Sequence, residues 1–299
     1  MKTIKKASAA LAAVILLLLS VFSAFAEMIF TVDGFSFFVI SNSGVSVCGW
    51  DNRSPELILP ERITFRYVEE IDNNAFSDNS EITSVDFSNT TRLDKIGIRA
   101  FENCTSINQP VVIPETVTTI YHGAFLNCTS LPSVDIKANI NLISSEMFYG
   151  CSSLDNVTIP DSVTEIQSLA FARCTSLTYV ELSKNINSIN ETAFYGCENL
   201  TLGVWYDSYA YHYAVDNNIN YTLLDGVKLG DINGDDNINI NDVTLIQRHL
   251  AELEQLEGIY LYVADANQDS TVDIADATTL QMSIAEYELI FPIGEVVTK

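Results

Sequence analysis

The sequence predicts a strand-rich solenoid of stacked repeats, followed by a small all-α domain built from two duplicated loop-helix units. Two observations support this prediction. An Ala-Phe or Met-Phe pair recurs six times at intervals of 23 to 25 residues. Beyond residue 229, two stretches rich in Asp and Asn follow each other at a distance of 34 residues. A leader, the repeats and the two acidic stretches succeed one another along the chain.

The first 26 residues predict a secretory signal peptide. Three lysines precede an apolar run from Ala9 to Phe22, and Ala24-Phe25-Ala26 is a small-residue cleavage pattern. The run is shorter than the roughly 20 residues that span a bilayer, which argues against a membrane anchor. We expect cleavage after Ala26, no membrane span later in the chain, and a secreted, extracellular protein.

The mature chain is strongly acidic. Three of the 15 Lys and Arg residues lie in the leader, so 12 basic residues face 39 Asp and Glu, a formal charge of −27. Such a surface repels nucleic acid and anionic lipid but is compatible with divalent cations. The remaining length favours two domains, and no nucleic-acid partner is expected.

The repeat period is typical of leucine-rich repeats. Apolar residues recur at fixed positions around each corner phenylalanine, so that stacked coils can bury one continuous core. The columns are Phe76, Phe101, Phe125, Phe148, Phe171 and Phe194; then Ile71, Ile96, Ile120, Ile143, Ile166 and Ile189; then Ile82, Ile107, Leu131, Leu154, Leu177 and Leu200.

Each repeat is expected to contribute two extended segments. Residues 177–182 alternate apolar and polar side chains, the period of a half-buried strand, and a shorter segment such as Val163–Ile166 precedes the corner. We expect residues 27–60 to form an N-terminal cap. The stretch Ser208–Ala214 predicts a capping helix, followed by a strand over Asn220–Leu224.

The motif Ala-Phe-x-x-Cys-x-x-Leu, followed by Val-x-Ile-Pro and Val-x-x-Ile, resembles the BspA-like (treponemal-type) leucine-rich repeat family over about residues 45 to 224. The resemblance implies adhesion or partner recognition, with an unknown protein or glycan as ligand. A spacer without its own partner is an equally good interpretation. The strand positions expected to face outward share no chemistry; they are Asp86, Val112, Asp135, Thr158 and Glu181.

Five of the six cysteines lie three residues after a corner phenylalanine. A secreted chain with six cysteines normally suggests disulfides. A column of identical residues at one repeat position instead favours small, buried, unpaired thiols, and an odd number cannot pair completely. The column consists of Cys104, Cys128, Cys151, Cys174 and Cys197, whereas the redox state of Cys48 stays open.

The two acidic stretches have the spacing of calcium-binding loops. Calcium takes six to eight oxygen ligands, and a 12-residue loop supplies them from positions 1, 3, 5, 7, 9 and 12. Repetition of this spacing in register argues against an ordinary acidic turn. The predicted ligands of two Ca²⁺ ions are Asp231, Asn233, Asp235, Asn237, Asn239 and Asp242, then Asp265, Asn267, Asp269, Thr271, Asp273 and Asp276.

An apolar face at helical spacing follows each loop, formed by Val243, Ile246 and Leu250 and again by Ala277, Leu280 and Ile284. No helix is expected before either loop. The duplicated loop-helix unit, related to the EF-hand, resembles a type I dockerin over residues 229–292. The fold class is thus a strand-rich leucine-rich-repeat solenoid followed by a small all-α calcium-binding dockerin domain.

The dockerin resemblance implies a cohesin module of a scaffoldin as partner. Dockerins bind cohesins through loop positions 10 and 11 and helix positions 17, 18 and 22. The matching residues are Ile240, Asn241, Gln247, Arg248 and Glu252, then Ile274, Ala275, Gln281, Met282 and Glu286. Because the two sets differ in chemistry, one binding orientation should be preferred.

No catalytic constellation is evident in the sequence, which contains three histidines and no nucleophile motif. The favoured interpretation is a secreted, non-catalytic cellulosomal subunit in plant polysaccharide degradation, held at the bacterial cell surface. An unrecognised carbohydrate-active hydrolase and a surface adhesin are the alternatives. The expected boundaries are 1–26 for the signal peptide, 27–224 for the solenoid with its caps, 225–228 for a linker, 229–292 for the dockerin and 293–299 for a tail.

Overall fold

The structure, a computed structural model, describes residues 29–51, 54–206, 208–224, 226–287, 293–294 and 296–297. The predicted signal peptide lies outside these residues. The chain forms two compact units. The first takes in the chain up to Leu202 together with Ser208–Asn220, and the second takes in the chain from Tyr221 onward together with a short stretch that begins at Gly203. Across the described residues, no helix has the length and apolar character needed to cross a membrane.

Short strands dominate the first unit, and helices dominate the second. The strands are β1 (Phe30–Val32), β2 (Phe35–Val39), β3 (Gly44–Trp50), β4 (Glu56–Ile58), β5 (Arg62–Ile63), β6 (Arg66–Ile71), β7 (Ser84–Asp86), β8 (Lys95–Ile96), β9 (Val111–Ile113), β10 (Thr119–Ile120), β11 (Ser133–Ile136), β12 (Leu142–Ile143), β13 (Asn156–Thr158), β14 (Glu165–Ile166), β15 (Tyr179–Glu181), β16 (Ser188–Ile189), β17 (Thr201–Val204), β18 (Asn220–Leu223), β19 (Val227–Lys228) and β20 (Val296–Val297). The helices are α1 (Tyr209–Asp216), α2 (Ile240–Leu250), α3 (Gly258–Ala264) and α4 (Ile274–Ile284).

The first three strands form an antiparallel meander at the start of the solenoid. β1 pairs with β2 and β2 with β3, and β3 then pairs in parallel with β6 of the first coil. The exposed edge of a parallel stack would present unpaired backbone groups. The meander covers that edge with antiparallel hydrogen bonds.

Successive coils pair in parallel along two sides of the solenoid. On one side Val111, Val134 and Val157 are in register across β9, β11 and β13. On the other side Ile71 pairs with Ile96, and Ile143 pairs with Ile166. The predicted strand-rich solenoid and its two extended segments per coil are confirmed. In β7, β13 and β15 the central residue is buried and its neighbours are more exposed, whereas in β9 Val112 is exposed between two buried residues.

The predicted apolar columns form the core. The corner phenylalanines from Phe76 to Phe194 stack face to face, with centroid distances between 5.0 and 5.7 Å. Burying such a side chain contributes about 1.5–3 kcal/mol relative to exposure. Because each ring contacts the ring of the next coil, this contribution depends on the array and not on the single repeat.

The corners require left-handed backbone, which the sequence analysis did not reveal. The positions two residues before and two residues after each corner phenylalanine, except Thr192, carry φ between +52° and +80°. Only some are glycine, and the bulky Leu169 adopts a φ of +56°. The residues are Asn74, Asp78, Arg99, Asn103, Gly123, Asn127, Glu146, Gly150, Leu169, Arg173 and Gly196.

All six cysteines are free thiols, as predicted for the five of the column, whereas the sequence left Cys48 open. Each column cysteine donates an S–H hydrogen bond of 3.1 Å to the carbonyl oxygen of the corner phenylalanine one coil earlier, as Cys104 does to Phe76 and Cys128 does to Phe101. Burial raises the pKa of Cys104 to about 12 and that of Cys197 to about 11. These thiols therefore stay protonated and tie adjacent coils together.

In the second unit, α2 packs against α4. Val243, Ile246, Ala277 and Leu280 are buried, as their helical spacing predicts. Leu250 and Ile284 contradict the predicted core face, because each is 39% exposed near the C-terminal end of its helix. Both helices run past the domain core by one turn, so the last apolar residue of each series faces outward.

Segments expected to be linker and tail contact each other in the second unit. β19 pairs with β20 in antiparallel fashion, and the Gly294 N–H donates to the Leu229 carbonyl at 2.8 Å. Gly230 between them has a φ of +93°, and a Cβ there would lie 2.5 Å from a methyl of Leu280. Only glycine fits this position without moving the core of the domain.

Candidate functional site

The candidate site consists of the two predicted calcium loops and the helices that follow them. Each loop begins with an aspartate whose two carboxylate oxygens accept backbone N–H groups from positions 5 and 6. Asp231 accepts from Asp235 and Asp236, at 3.2 and 2.9 Å. Asp265 accepts from Asp269 and Ser270, at 3.0 and 2.8 Å. The first residue therefore closes the loop on itself.

Position 3 repeats equally well in the two loops. Its amide oxygen accepts the N–H of position 5 at 2.9 Å, at Asn233 and at Asn267. Its amide nitrogen donates to the carboxylate of position 5, at 2.9 Å to Asp235 and at 3.0 Å to Asp269. The two loops thus share these hydrogen bonds despite different residues at positions 2, 4, 6, 7, 8, 9 and 11.

Position 12 connects the loop to its helix. Asp242 and Asp276 are fully buried. One oxygen of Asp242 accepts the N–H of Asn233 and the other accepts that of Asn239, at 3.1 and 2.9 Å. Asp276 accepts from positions 3 and 9 of its own loop at 3.0 and 2.8 Å. The arrangement fixes the start of the helix to both ends of the loop.

Positions 9 and 12 also form a capping box, which the sequence analysis missed. The side chains of Asn239 and Asp273 cap the first turns of α2 and α4. The position-12 carboxylates in turn accept the backbone N–H of the cap residue. The signal was present as Asn-x-x-Asp and Asp-x-x-Asp immediately before each apolar series.

Position 6 adopts left-handed backbone in both loops, although neither residue is glycine. Asp236 has a φ of +67° and Ser270 a φ of +74°. Aspartate tolerates this region better than serine. Lys228 further holds position 6 of the first loop, since its ammonium donates to the Asp236 carbonyl and pairs with the Asp236 carboxylate, each at 3.0 Å.

Two carboxylates of the second loop have shifted pKa values. Hydrogen bonding from the Thr271 hydroxyl and N–H lowers the pKa of Asp269. Burial raises the pKa of Asp276, and loop N–H donors partly offset this effect. The loop thus contains a carboxylate kept ionised by hydrogen bonds and another that lacks water to solvate its charge.

The side-chain donors at the ligand positions are all oxygens, the atoms that Ca²⁺ prefers. Among the described residues, no three Asp, Glu, His or Cys side chains come together as a metal cluster. The carboxylates instead accept loop N–H groups, and the first loop uses Asn at positions 3, 7 and 9. The donor chemistry and the closed loop backbone fit an oxygen-preferring cation.

All ten residues predicted to contact a cohesin are exposed. The apolar side chains at position 10, Ile240 and Ile274, are 58% and 64% exposed. Met282 is 39% exposed, which agrees with the expectation that it does not fill the core. These side chains lie on the exposed surface of α2 and α4 or just beyond the helix ends, and they do not pack in the core.

Two expectations about the helices are wrong. Helix α3 ends at Ala264 and leads directly into the second loop, whereas no helix was expected there. Its buried Ile259 and Val263 are too few to give a periodic signal. Glu252 and Glu286 lie beyond the helix ends in left-handed conformation, with φ of +56° and +60°, and not on a helical stripe.

The three histidines lie on different elements of the chain. His122 and His212 are exposed residues of the first unit. His249 lies on α2, where its Nδ1 accepts the Leu256 N–H at 3.0 Å. This bond extends the C-terminal end of the helix into the following turn.

The comparisons with known proteins divide the chain in the same way. Residues 69–201 match the BspA type leucine rich repeat region in six copies, and residues 229–285 match the dockerin type I domain. No curated protein matches the sequence.

Solved structures match the repeat region. A leucine-rich repeat protein of T. pallidum is 28% identical with a TM-score of 0.54, over 58% of this chain and 80% of that one. A leucine-rich cell surface protein of Faecalibacterium prausnitzii is 23% identical with a TM-score of 0.44, over 59% and 54%.

Both matched modules are of non-catalytic types. Dockerins indicate assembly through a cohesin partner and typically bind calcium, and leucine-rich repeats indicate protein interaction. The chain therefore joins a BspA-type leucine-rich repeat region to a type I dockerin domain.

Proposed function

We propose that this chain is a secreted, non-catalytic cellulosomal subunit. Its dockerin, which we assign to residues 229–292, binds two calcium ions and docks into a cohesin of a scaffoldin. Its repeat domain, residues 27–224, serves as a binding or spacer module in plant polysaccharide degradation. Residues 1–26 direct export, and the assembly is held at the bacterial cell surface.

The observation that supports this function best is the twofold repetition of loop geometry together with the exposure of all ten contact candidates. Hydrogen bonds at positions 1, 3, 5, 9 and 12 recur in both loops. The side chains that follow at positions 10, 11, 17, 18 and 22 contribute nothing to the core. A surface that is rigidly presented and uncommitted to folding fits a docking role.

The oxygen donors at positions 1, 3, 5, 7, 9 and 12 of each loop would hold one ion. Bound calcium supplies positive charge that offsets the clustered carboxylates. Asp242 and Asp276 already tie their loops to α2 and α4, so loop closure sets the direction in which each helix leaves. Docking and folding of this domain are therefore linked.

The two halves offer different chemistry to a partner. Asn241 and Arg248 in the first half correspond to Ala275 and Met282 in the second. The Arg248 guanidinium forms an exposed ion pair with Glu254 at 3.0 Å, and Met282 presents an apolar surface. One orientation on the cohesin should therefore dominate.

A pull-down of the full chain against a panel of cohesins, with calcium and with excess EDTA, tests the function. We expect one cohesin type to be retained with calcium and released by EDTA. R248A and M282A should lower cohesin affinity by different amounts, since only the docking half contributes to binding. The solenoid variant K184A serves as control. Binding that survives EDTA, or a panel with no binder, contradicts the proposal.

A further inference from the structure

On the side of the column isoleucines, the parallel ladder breaks once in the described structure, between β10 and β12. Among the same residues, the opposite side is unpaired between β7 and β9 and between β13 and β15. In four junctions, the N–H that follows the column isoleucine donates to the isoleucine carbonyl one coil earlier, at 2.9–3.0 Å. The donors are Gly97, Tyr121, Gln167 and Asn190. The equivalent bond from Ser144 to Ile120 is missing, and within the described residues no backbone hydrogen bond joins β10 to β12.

The coils separate at this junction on one side only. On the opposite side, β9 and β11 remain in register, with Val112 paired to Asp135. The parted side encloses a cavity of about 280 Å³ that lies between the two coils. The interruption is thus a local opening of one wall of the solenoid.

Ser144 lines this cavity and is unsatisfied in two ways. Its side chain is 5% exposed, and its hydroxyl has no hydrogen-bond partner in the described structure. Its N–H lacks the ladder bond that the other coils make. Buried polar groups of folded proteins are nearly always paired, so two orphan groups at one cavity point to a ligand.

The rest of the lining is uncharged and mixes polar side chains with three aliphatic ones. It includes Tyr121, His122, Asn141 and Gln167, and it contains no Asp, Glu, Lys or Arg. This is unusual for a chain with 39 acidic residues. Amide, hydroxyl and imidazole groups donate and accept hydrogen bonds, and the 42% exposed tyrosine offers an aromatic face.

A neutral saccharide matches this lining. A sugar ring has many hydroxyl groups, no charge and apolar C–H faces that an aromatic ring can cover. A charged ligand would find no counter-ion in the cavity, and a purely apolar one would leave the orphan groups of Ser144 unpaired. We propose that the cavity between β10 and β12 binds one or two rings of a neutral oligosaccharide.

This site deepens the role of the repeat domain in the proposed function and is independent of the dockerin. Calorimetric titration of the calcium-loaded full chain with cellopentaose, xylopentaose or mannopentaose tests it, with pentagalacturonate as a charged comparison. We expect at least one neutral pentasaccharide to bind. Y121A should weaken binding by about tenfold through loss of the aromatic face.

Tyr179 on β15 provides a matched control, because it is 43% exposed and lies outside the cavity. Y179A should leave saccharide affinity unchanged, while N141D should reduce it by removing amide donors. Cohesin binding, measured in parallel, should be equal in all variants. The site is refuted if no neutral sugar binds, if pentagalacturonate binds better, or if Y121A and Y179A have equal effects. Loss of cohesin binding alone would instead refute the dockerin function.

Discussion

At the scale of single residues, the cysteine column shows that the position of a cysteine in the repeat can predict its bonding state better than the number of cysteines in the chain. In an exported protein six cysteines would suggest disulfides. Each column thiol instead donates to a backbone carbonyl one coil away. A small side chain with a weak donor fits this buried position, and serine would add a stronger demand for hydrogen bonds.

The raised thiol pKa values predict alkaline destabilisation of the solenoid. The pKa of Cys104 is about 12 in the fold against an ordinary value of 9.0, so the folded state keeps a proton that the unfolded state releases. Its contribution is complete below pH 9.0 and is lost as pH rises towards the folded pKa. Each pH unit in this window removes about 1.4 kcal/mol of unfolding free energy.

Urea unfolding of the wild type and C104A between about pH 8 and pH 11 measures this effect. The wild type should lose about 2–3 kcal/mol more than the variant over that range. T105A, at an exposed neighbour that cannot ionise, should follow the wild type. Parallel pH profiles for wild type and C104A would show that the thiol does not titrate in this way.

At the scale of elements, the calcium loops show how two copies of one motif can differ. The second loop has acids at positions 1, 5, 9 and 12, whereas the first has Asn239 at position 9. Lys228 adds a positive charge at the first loop through its ion pair with Asp236. Tyr262 holds the equivalent place before the second loop. We expect these charges to favour Ca²⁺ binding at the second loop, a ranking that the sequence alone left open.

We therefore expect K228M to tighten calcium binding at the first loop. Removal of one positive charge near a divalent ion is worth about 1 kcal/mol in a solvated site, or about fivefold in affinity. Calorimetric Ca²⁺ titration of the full chain should show a tighter weak site and an unchanged strong site. K184M, which removes an exposed solenoid lysine, should change neither site. A weaker first site in K228M would mean that the Lys228 tether matters more than its charge.

Sequence periodicity predicted the elements that repeat and missed those that do not. The strand, corner and helix core positions recur often enough for their burial to be predicted. Helix α3 is only seven residues long, has no side-chain cap and buries few apolar residues, so it leaves no periodic pattern. The exposure of Leu250 and Ile284 depends on where each helix leaves the domain core, which helical spacing alone does not specify.

The same reasoning applies to the candidate sites. Ligand spacing in the loops is local, so their closed geometry could be anticipated from the chain. The opening between β10 and β12 comes from the loss of a hydrogen bond between Ser144 and Ile120, which are 24 positions apart, whereas four other junctions on the same side make the equivalent bond. Sequence repetition predicts the structure that all coils share. It does not predict a cavity that forms where two particular coils differ from the rest.

At the scale of the whole molecule, the two units obtain their stability from different sources. The solenoid has a continuous column of stacked rings and parallel ladders, and most of its core residues come from the repeats. The C-terminal unit is small, and its loops concentrate carboxylates that repel one another. A ligand that binds only the folded state stabilises it by mass action.

Calcium should therefore shift the unfolding of one unit and leave the other unchanged. Calorimetric scans of the full chain in EDTA and in excess Ca²⁺ should show two transitions. The dockerin transition should gain about 2.7 kcal/mol for each site at a hundredfold excess over its dissociation constant. The solenoid transition should stay in place, since the predicted ligands all lie between Asp231 and Asp276. D265A should reduce the calcium shift without affecting the solenoid. If both transitions moved together, the units would unfold as one body and the separation of docking from ligand binding would not hold.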